Sequence, residues 1–582
     1  IQTDNPVAQL ELQKFNNKLS RAIGNATVNY KMHGFEDLQL NANLGFDILK
    51  SIYTKDVPDK AGMMYTSNMK DGTGLDYDGT QNKRNTLLDL YANYRHVFDK
   101  KHDFSVMAGY GWQHFWKKYD DTTLSPTGKE LFSPSHYESE YYLLSLYGRV
   151  NYTYDEKYML TATLRSDASS RFAKGNRWGY FPAVSAAWRL SEEAFLKRQA
   201  TWLSNLKLRL GWGKTGNEEI NETYPAVATY AFGKAVLGDT ETTTTYEARY
   251  VNNKLRWATV TNYELGLDAS FFDNQVGFEL SLYQKNTDNM LLKLPIQGVI
   301  GVNPPAQNAG SVRNTGFDLN VFHNYRLGKD LRYAVNLNLS YVHNKITDLK
   351  GTDGENPDNK LYWFIEGQAI GTFYGYVADG FFNTQAELDN GPKRTGAEKL
   401  GDIRYKDFDG DNKITAADRK PIGKNFPSWT GGLNLAVYYK DFDFSMLWQG
   451  AFDVDAYFKG EASYAFFNSG KVLKRHLDRW TPTHHDATYP RITRNSQINF
   501  STSSFWLQDA SYVRLKNVTL GYTIPRAFLS KWGVTGAHVF LTGENLLTFS
   551  HLEGLDPEAP SDNRGAFYSN VKKFTLGLKV SF

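Results

Sequence analysis

The stretch "KKFTLGLKVSF" (Lys572–Phe582) closes the chain, and its alternation decides the fold class. Phe574, Leu576, Leu578, Val580 and Phe582 fall on one side of an extended chain; Thr575, Gly577, Lys579 and Ser581 fall on the other. A period of two marks a strand between two different environments. A strand running to a terminal aromatic with no polar tail is expected where it lies in lipid, in a closed barrel whose edges are paired.

The same pattern recurs upstream. "LSLYGRVNYTYD" sets Leu144, Leu146, Gly148, Val150, Tyr152 and Tyr154 on one face. "VGFELSLYQ" does so with Val276, Phe278, Leu280 and Leu282, and "LRYAVNLNLSYVHN" with Leu331, Tyr333, Val335, Leu337, Leu339 and Tyr341. Strands are expected near 21–31, 35–47, 86–98, 103–113, 141–154, 157–166, 177–190, 203–216, 259–272, 275–288, 313–325, 333–346, 428–439, 442–455, 511–524, 535–549 and 571–582.

Composition agrees. Across 582 residues there are 37 Tyr, 36 Phe and 48 Gly, which suits strands better than surface helices. No cysteine is present, which excludes a disulfide framework, a thiolate metal site and a Cys nucleophile. The balance of 66 basic against 63 acidic residues gives no reason to expect nucleic acid as partner. Mean hydropathy is −0.52, and no apolar run approaches the roughly 18 residues of a spanning helix.

Alternation alone also fits a soluble sandwich with one wet face. The connections separate the two readings. "YDEK" (Tyr154–Lys157), "KMHG" (Lys31–Gly34) and "YKD" (Tyr439–Asp441) are tight, whereas 48–85, 114–140, 217–258, 289–312, 347–427, 456–510 and 551–570 are long. Outer-membrane barrels have this asymmetry, with short periplasmic turns and long extracellular loops. The fold class expected is therefore all-β, a transmembrane antiparallel β-barrel. Counting back from a periplasmic C-terminus puts every long link outside and leaves Ile1–Ser20 in an external loop. About 17 strands is an odd number, and single-chain bacterial barrels have even ones. Residues 1–582 are thus expected to be a C-terminal portion of a larger protein; a 22-stranded barrel would lack its first five strands here.

Six blocks carry a family resemblance: "RSDASSRFAKGNRWGYFPAVSAAWRLSEEAFLK" (Arg165–Lys197), "LSNLKLRLGWGKTGNEEI" (Leu203–Ile220), "NNKLRWATVTNYELGLD" (Asn252–Asp268), "GQAIGTFYGYVADGFF" (Gly367–Phe382), "GDIRYKDFDGDNKITAADRKPIG" (Gly401–Gly423) and "SFWLQDASYVRLKNVTLGY" (Ser504–Tyr522). In this order, over nearly the whole chain, they resemble the SusC/RagA-type TonB-dependent transporters. The resemblance implies a 22-stranded outer-membrane barrel of a Gram-negative bacterium. It also implies an N-terminal plug, a SusD-like surface lipoprotein as hinged lid, and import of oligosaccharides or peptides powered by the TonB complex. A passive porin or adhesin barrel is the alternative. An outer-membrane enzyme would need a catalytic cluster, and no G-x-S-x-G or credible Ser/His/Asp set is present.

"DFDGDNKITAAD" has oxygen ligands at the spacing of an EF-hand-type calcium loop. Asp407, Asp409, Asp411, the Lys413 carbonyl, Thr415 and Asp418 take positions 1, 3, 5, 7, 9 and 12. Two residues depart from the pattern: Asn412 stands where glycine makes the turn, and Asp418 replaces the bidentate glutamate. Asn tolerates the left-handed conformation, and crowded carboxylates repel unless compensated. A structural Ca2+ is expected; a solvated acidic loop is the plainer reading.

Loop aromatics are candidates to hold substrate, since their faces stack on sugar C–H faces. They are Trp363, Phe364, Tyr374, Tyr376, Phe466, Phe467, Phe505 and Trp506; loop packing or lid contact is the competing role for each. "THHD" (Thr483–Asp486) reads as solvated loop histidines. "GTGLDYDGT" (Gly72–Thr80) reads as a flexible external loop. The sequons "NET" (Asn221–Thr223) and "NVT" (Asn517–Thr519) carry no weight in a bacterial barrel.

Overall fold

The computed structural model describes residues 6–58, 61, 74–124, 131–219, 224–225, 227, 230–238, 240–247, 251–293, 306–351, 353–356, 360–460, 463–467, 470–493, 497–554, 556–559 and 569–582. One 17-stranded sheet dominates. Its strands are β1 (Lys14–Lys31), β2 (Leu38–Val57), β3 (Leu75–Phe98), β4 (His102–Leu124), β5 (Leu131–Tyr154), β6 (Tyr158–Ser169), β7 (Trp178–Arg189) and β8 (Leu203–Asn217). There follow β9 (Ala258–Phe271), β10 (Val276–Asp288), β11 (Ser311–Leu327), β12 (Leu331–Asp348), β13 (Trp429–Tyr439), β14 (Phe442–Phe452), β15 (Tyr512–Ile524), β16 (Gly536–Ser550) and β17 (Lys573–Ser581). The chain divides into two compact units, Ile1–Ala186 with Gly211–Thr261 and Thr287–Gly310, and Ala187–Leu210 with Asn262–Asn286 and Ser311–Phe582.

In the first unit β1 to β6 pair antiparallel in chain order. The register sorts side chains by face. Ala22, Ala26 and Val28 of β1 lie opposite Ile48, Leu44 and Ala42 of β2. On the other face Arg21 forms a bidentate pair with Asp47, Thr27 bonds Asn43 (3.1 Å) and Ser51 bonds Asn17 (2.7 Å). The tight turns at 99–100 and 155–156 have positive φ at both central residues, the hairpin geometry that matches strand twist.

In the second unit β11 to β17 also pair in order. Successive registers assemble apolar rows across the sheet, for example Tyr333–Val437–Phe444–Leu520–Leu541–Leu576. Toward the short-turn end runs Leu331–Tyr439–Phe442–Tyr522–Val539–Leu578, an aromatic row with Phe442 and Tyr522 rings 4.7 Å apart. Phe574, Leu576 and Leu578 are exposed, Leu576 by 76 %. An apolar face this broad and unburied needs lipid against it. Arginine at Leu541 is therefore expected to cost about 2–4 kcal/mol of folding free energy in bilayers, whereas Arg at Asn336 on the opposite face costs little. Denaturant titration in liposomes reads both, and equal costs would refute the facing.

Three expectations need correction. The links 48–85 and 114–140 are mostly strand: β2 runs to Val57, β3 starts at Leu75, β4 runs to Leu124 and β5 starts at Leu131. Ile1–Ser20 was expected as loop; it holds a helix (Pro6–Leu12) and the start of β1. Leu75–Thr80 of the expected flexible loop lies in β3, while Gly72 and Thr73 lie outside the described residues. The physical reason is shared. Beyond the lipid both strand faces are polar, so the apolar period fades although the backbone ladder continues. The link 217–258 similarly contains a hairpin, Tyr230–Leu237 with Thr240–Glu247. The sequon Asn221–Thr223 lies outside the described residues; Asn517–Thr519 lies in β15, its Thr519 hydroxyl on Asn517 (3.1 Å).

Candidate functional site

The two longest links, 349–428 and 453–511, fold together within the second unit. A four-stranded sheet (Gly354–Glu355, Tyr362–Phe364, Thr372–Tyr376, Arg419–Lys424) and two strand pairs (Ala378–Phe381 with Ile403–Tyr405, Asp455–Tyr457 with Leu507–Asp509) frame it. A short helix, Gln385–Asn390, starts at a capping box of Thr384 and Glu387. The shared core is aromatic: Tyr362, Phe373, Tyr376, Tyr405, Tyr457, Tyr464, Trp480, Tyr489 and Trp506. Loops this rich in large rings bury them against one another.

A buried polar knot joins the two links. Asp402, fully buried, accepts from the Asn499 amide (2.9 Å), the Lys399 N–H (2.8 Å) and Arg491 Nη2 (3.1 Å). Asn499 in turn accepts from the Ile403 N–H and, through its carbonyl, from Trp506 Nε1. Gly401 sits at φ +83° with Trp480 against it; a Cβ there would lie 2.3 Å from the indole. A second knot ties the outer end of β15 to the last long link: Arg514 binds Asp556 (2.6 Å) and Glu558 (2.7 Å), and Lys516 also holds Glu558 (2.9 Å). Sequence reasoning passed over both knots. The available signal was an acid or base flanked by apolar residues, as in "LGDIRY" and "YVRLK".

The acidic loop lies in the outer module. Oxygens of Asp407, Asp409 and Asp418 lie within 4.8 Å of one another. Asp407 accepts from the amides of Gly410 and Asn412 (both 2.7 Å). Asn412 has φ +61°, the left-handed turn that position requires. Asp418 is fully buried and accepts from Phe408 N–H (2.8 Å) and Thr415 N–H (2.7 Å). Of the other three expected ligands, Asp411 is not one of the converging carboxylates and accepts from Lys413 N–H (2.8 Å), the Thr415 hydroxyl accepts from Ala417 N–H (3.2 Å), and Lys413 forms a β-bridge with Lys393. Burial alone would raise the Asp407 carboxyl, but the Gly410 and Asn412 amides outweigh it and hold it low. The Asp411 amide pulls Asp409 down, yet burial and the charges of Asp411 and Asp418 push it up overall. These carboxylates are crowded as a cation site would require.

The aromatics divide into three groups. Tyr376 is core, flanked by Arg394 (5.4 Å) and Arg419 (5.3 Å). Trp506 is also buried, and Phe467 packs on Tyr464 at 5.7 Å. Trp363 and Tyr374 stack at 4.3 Å and are half-exposed; Phe364 is half-buried beside them in sequence. Phe466 is exposed on a left-handed turn. Phe505 is half-buried, 4.9 Å from Trp506, and both line a recess of about 400 Å³.

The histidines of Thr483–Asp486 are engaged locally: His484 meets Asp478 (2.7 Å) and His485 lies flat on Trp480 at 5.2 Å. The Thr488 hydroxyl, His484 and the Thr488 amide hold Asp478 down at about 2. A carboxyl depressed on folding gives stability that is complete above its unfolded pKa and is lost as pH falls through the folded one. Pepsin nicking within 478–488 should therefore stay slow down to about pH 4 and accelerate toward about pH 2. Acceleration already near neutrality would show that the pair does not hold this loop.

The family model described as "TonB dependent receptor-like, beta-barrel" matches residues 3–546. The chain belongs to the TonB-dependent receptor β-barrel family. The receptor's fold is accordingly a transmembrane antiparallel β-barrel, and its place is the outer membrane. It is similar to TonB-dependent receptor P3 of Formosa agariphila, 31 % identical over 549 residues, covering 88 % of this chain and 54 % of that protein. It is similar to TonB-dependent receptor SusC of Bacteroides thetaiotaomicron, 29 % identical over 99 % of this chain and 57 % of that protein. The chain thus spans little more than half the length of these relatives. Among solved structures, that of the RagAB peptide transporter superposes with a TM-score of 0.85 at 23 % identity, over 98 % of this chain and 63 % of that one. At that identity the likeness speaks for the fold. The SusC match supports a SusC/RagA-type transporter barrel.

Proposed function

We propose that this receptor barrel is the wall and outer surface of an active importer of large nutrients, oligosaccharides or peptides. It works with a SusD-like surface lipoprotein as lid, a plug within the barrel and energy from the TonB complex. The observation carrying this reading is the similarity to SusC over 99 % of the chain, loops included. The described residues of the links 349–428 and 453–511 share one aromatic core, which suits a surface against which a lid closes. The test uses the source bacterium with the gene intact or deleted. Uptake of nutrients that the intact strain takes up should fall on deletion and should also fall when a protonophore dissipates the inner-membrane gradient. Uptake that survives the protonophore would favour the passive porin reading. Affinity purification without chelator should co-isolate a lipoprotein; its absence would count against the lid.

We infer also that Asp407, Asp409 and Asp418 hold a calcium ion, with Asp411, the Lys413 carbonyl and Thr415 as the further oxygens that the loop spacing supplies. The convergence of three carboxylates, one of them fully buried, supports this. The ion would supply no chemistry. It would offset the mutual repulsion of these charges and brace the 349–428 link.

A further inference from the structure

We propose that Lys50, Arg84 and Lys118, on the lipid-facing side of the first unit, form a binding site for phosphate-bearing glycolipid headgroups of the outer leaflet. The proposal is independent of what the barrel imports. The height of the site follows from β2. Its outward residues Leu38, Leu40, Ala42, Leu44, Phe46 and Ile48 are all apolar, and the next outward residue is Lys50. From Leu38 to Ile48 the strand rises about 33 Å, which at a tilt of about 40° makes about 25 Å of membrane, the height of a barrel's apolar band. Lys50 therefore stands at the outer edge of the lipid. The register carries that edge across the neighbouring strands: Lys50 lies opposite Asn82 of β3, and Asn82 opposite Lys118 of β4. Arg84 is the next residue of β3 on that face, one step closer to the lipid. Adjacent strands run about 4.8 Å apart, so the three backbones lie within about 10 Å of one another.

The protein leaves most of this charge unanswered. Lys50 and Arg84 are exposed, and neither enters an ion pair among the described residues. Lys118 has a carboxylate, Asp120 at 3.2 Å, but His136 holds the same group at 2.6 Å. The other acids near the row are engaged: Glu138 accepts from Trp116 Nε1 (2.8 Å) and Glu140 meets His114 (3.0 Å). Asp56, Asp76 and Asp78 share the face but stand farther from the lipid along β2 and β3. Arg84 is also held in place, its guanidinium carbon 5.4 Å from the Trp116 ring centre. Cations left unpaired at the edge of a bilayer call for anions in the surrounding lipid.

The two ends of the same strands differ, and the difference selects the leaflet. At the short-turn end Tyr30, Tyr94, His96, Phe98, His102 and Tyr152 face outward, with no Lys or Arg among the outward residues of β1 to β5 there. Aromatic anchors suit any membrane interface; cations add affinity only where the headgroups are anionic. Their number selects the headgroup. Three cations within about 10 Å, one of them an arginine fork that matches phosphate oxygens, fit a headgroup with more than one phosphate better than a singly charged phospholipid.

The test is native mass spectrometry of the full-length protein with its bound partners, in detergent, titrated with diphosphoryl lipid A, with phosphatidylglycerol and with inorganic phosphate. The parent should bind diphosphoryl lipid A most tightly. Arg84→Gln alone should weaken it about fivefold, and Lys50→Gln, Arg84→Gln and Lys118→Gln together on the order of a hundredfold. Lys83→Gln, which removes a cation from the opposite face of β3, should bind like the parent. Heat-modifiable migration checks that each variant keeps its barrel; if the triple variant does not fold, Arg84→Gln decides alone. Three results would each overturn the proposal: the folded cation variants bind lipid A like the parent, Lys83→Gln loses as much as Arg84→Gln, or phosphatidylglycerol or inorganic phosphate binds as tightly as lipid A. Because lipid binding is read on purified protein, a failure here is distinct from a failure of energised import, which is read in cells.

Discussion

Asp402→Ala is expected to unfold the outer module while the wall strands stay paired, with a cost of about 3–5 kcal/mol, the usual penalty for orphaning one partner of a buried charge pair. Asp402 is fully buried, and three groups converge on its carboxylate: the Lys399 N–H, the Arg491 guanidinium and the Asn499 amide. Arg491 Nε lies 2.6 Å from Oδ1 without a hydrogen-bonding angle, so that contact is ionic, while Nη2 makes the bond. Removing the carboxylate leaves the partly buried Arg491 guanidinium without its counter-charge. It also frees Asn499, whose amide oxygen caps Ile403 N–H and whose carbonyl holds Trp506. The strand pair Ala378–Phe381 with Ile403–Tyr405 and the Trp506 corner should loosen together. Limited proteolysis should show new cuts in 383–400 and 485–500, with heat-modifiable migration of the barrel unchanged. Asp402→Asn keeps the shape and should cost less, about 1–3 kcal/mol. Replacing both Asp402 and Arg491 by leucine and methionine should recover part of the loss. An unchanged protease pattern in Asp402→Ala would mean that the aromatic core alone holds the two links.

What could be read in the sequence follows from where the environment is two-sided. In β12 to β17, lipid on one face and a polar interior on the other impose a strict period of two. "KKFTLGLKVSF" and "LRYAVNLNLSYVHN" could be placed to within a residue or two. Outside the lipid that contrast is gone. β3 begins with "LDYDGTQNKRN", where both faces are polar, and the pattern cannot distinguish strand from loop. The acidic loop was legible because its spacing is fixed by a tightly wound backbone. The Gly410 and Asn412 turn and the Asp418 cap are local in sequence. The Asp402–Arg491–Asn499 knot was not legible, because its members come from links separated by 89 to 97 residues. The same holds for the aromatics. Composition showed that the loops carry rings, but tertiary packing decides that Tyr376 is core and that Trp363 and Tyr374 form a half-exposed stack.

The effect of Asp409→Asn should change sign with calcium. In chelator, the Asp409 carboxylate stands against Asp411 and Asp418, which push its proton affinity up. Neutralising it relieves that repulsion, so Tm should rise slightly or stay level. In millimolar calcium the same change removes one charged oxygen from the cation, and Tm should fall below that of the parent. An ion bound at 100 times its dissociation constant stabilises by about 2.7 kcal/mol, which sets the size of the parent's calcium response. Asp418→Ala separates fold from ion. It removes the acceptor of the Phe408 and Thr415 amides, so it should cost about 1–3 kcal/mol even in chelator, and it should then show no further response to calcium. Scanning fluorimetry of parent and both variants, in EGTA and in calcium, gives all six values. A parent whose Tm is the same in both would remove the ion from the account. The loop would then stand as a turn held by its own amides, and Asp409→Asn would keep one sign throughout.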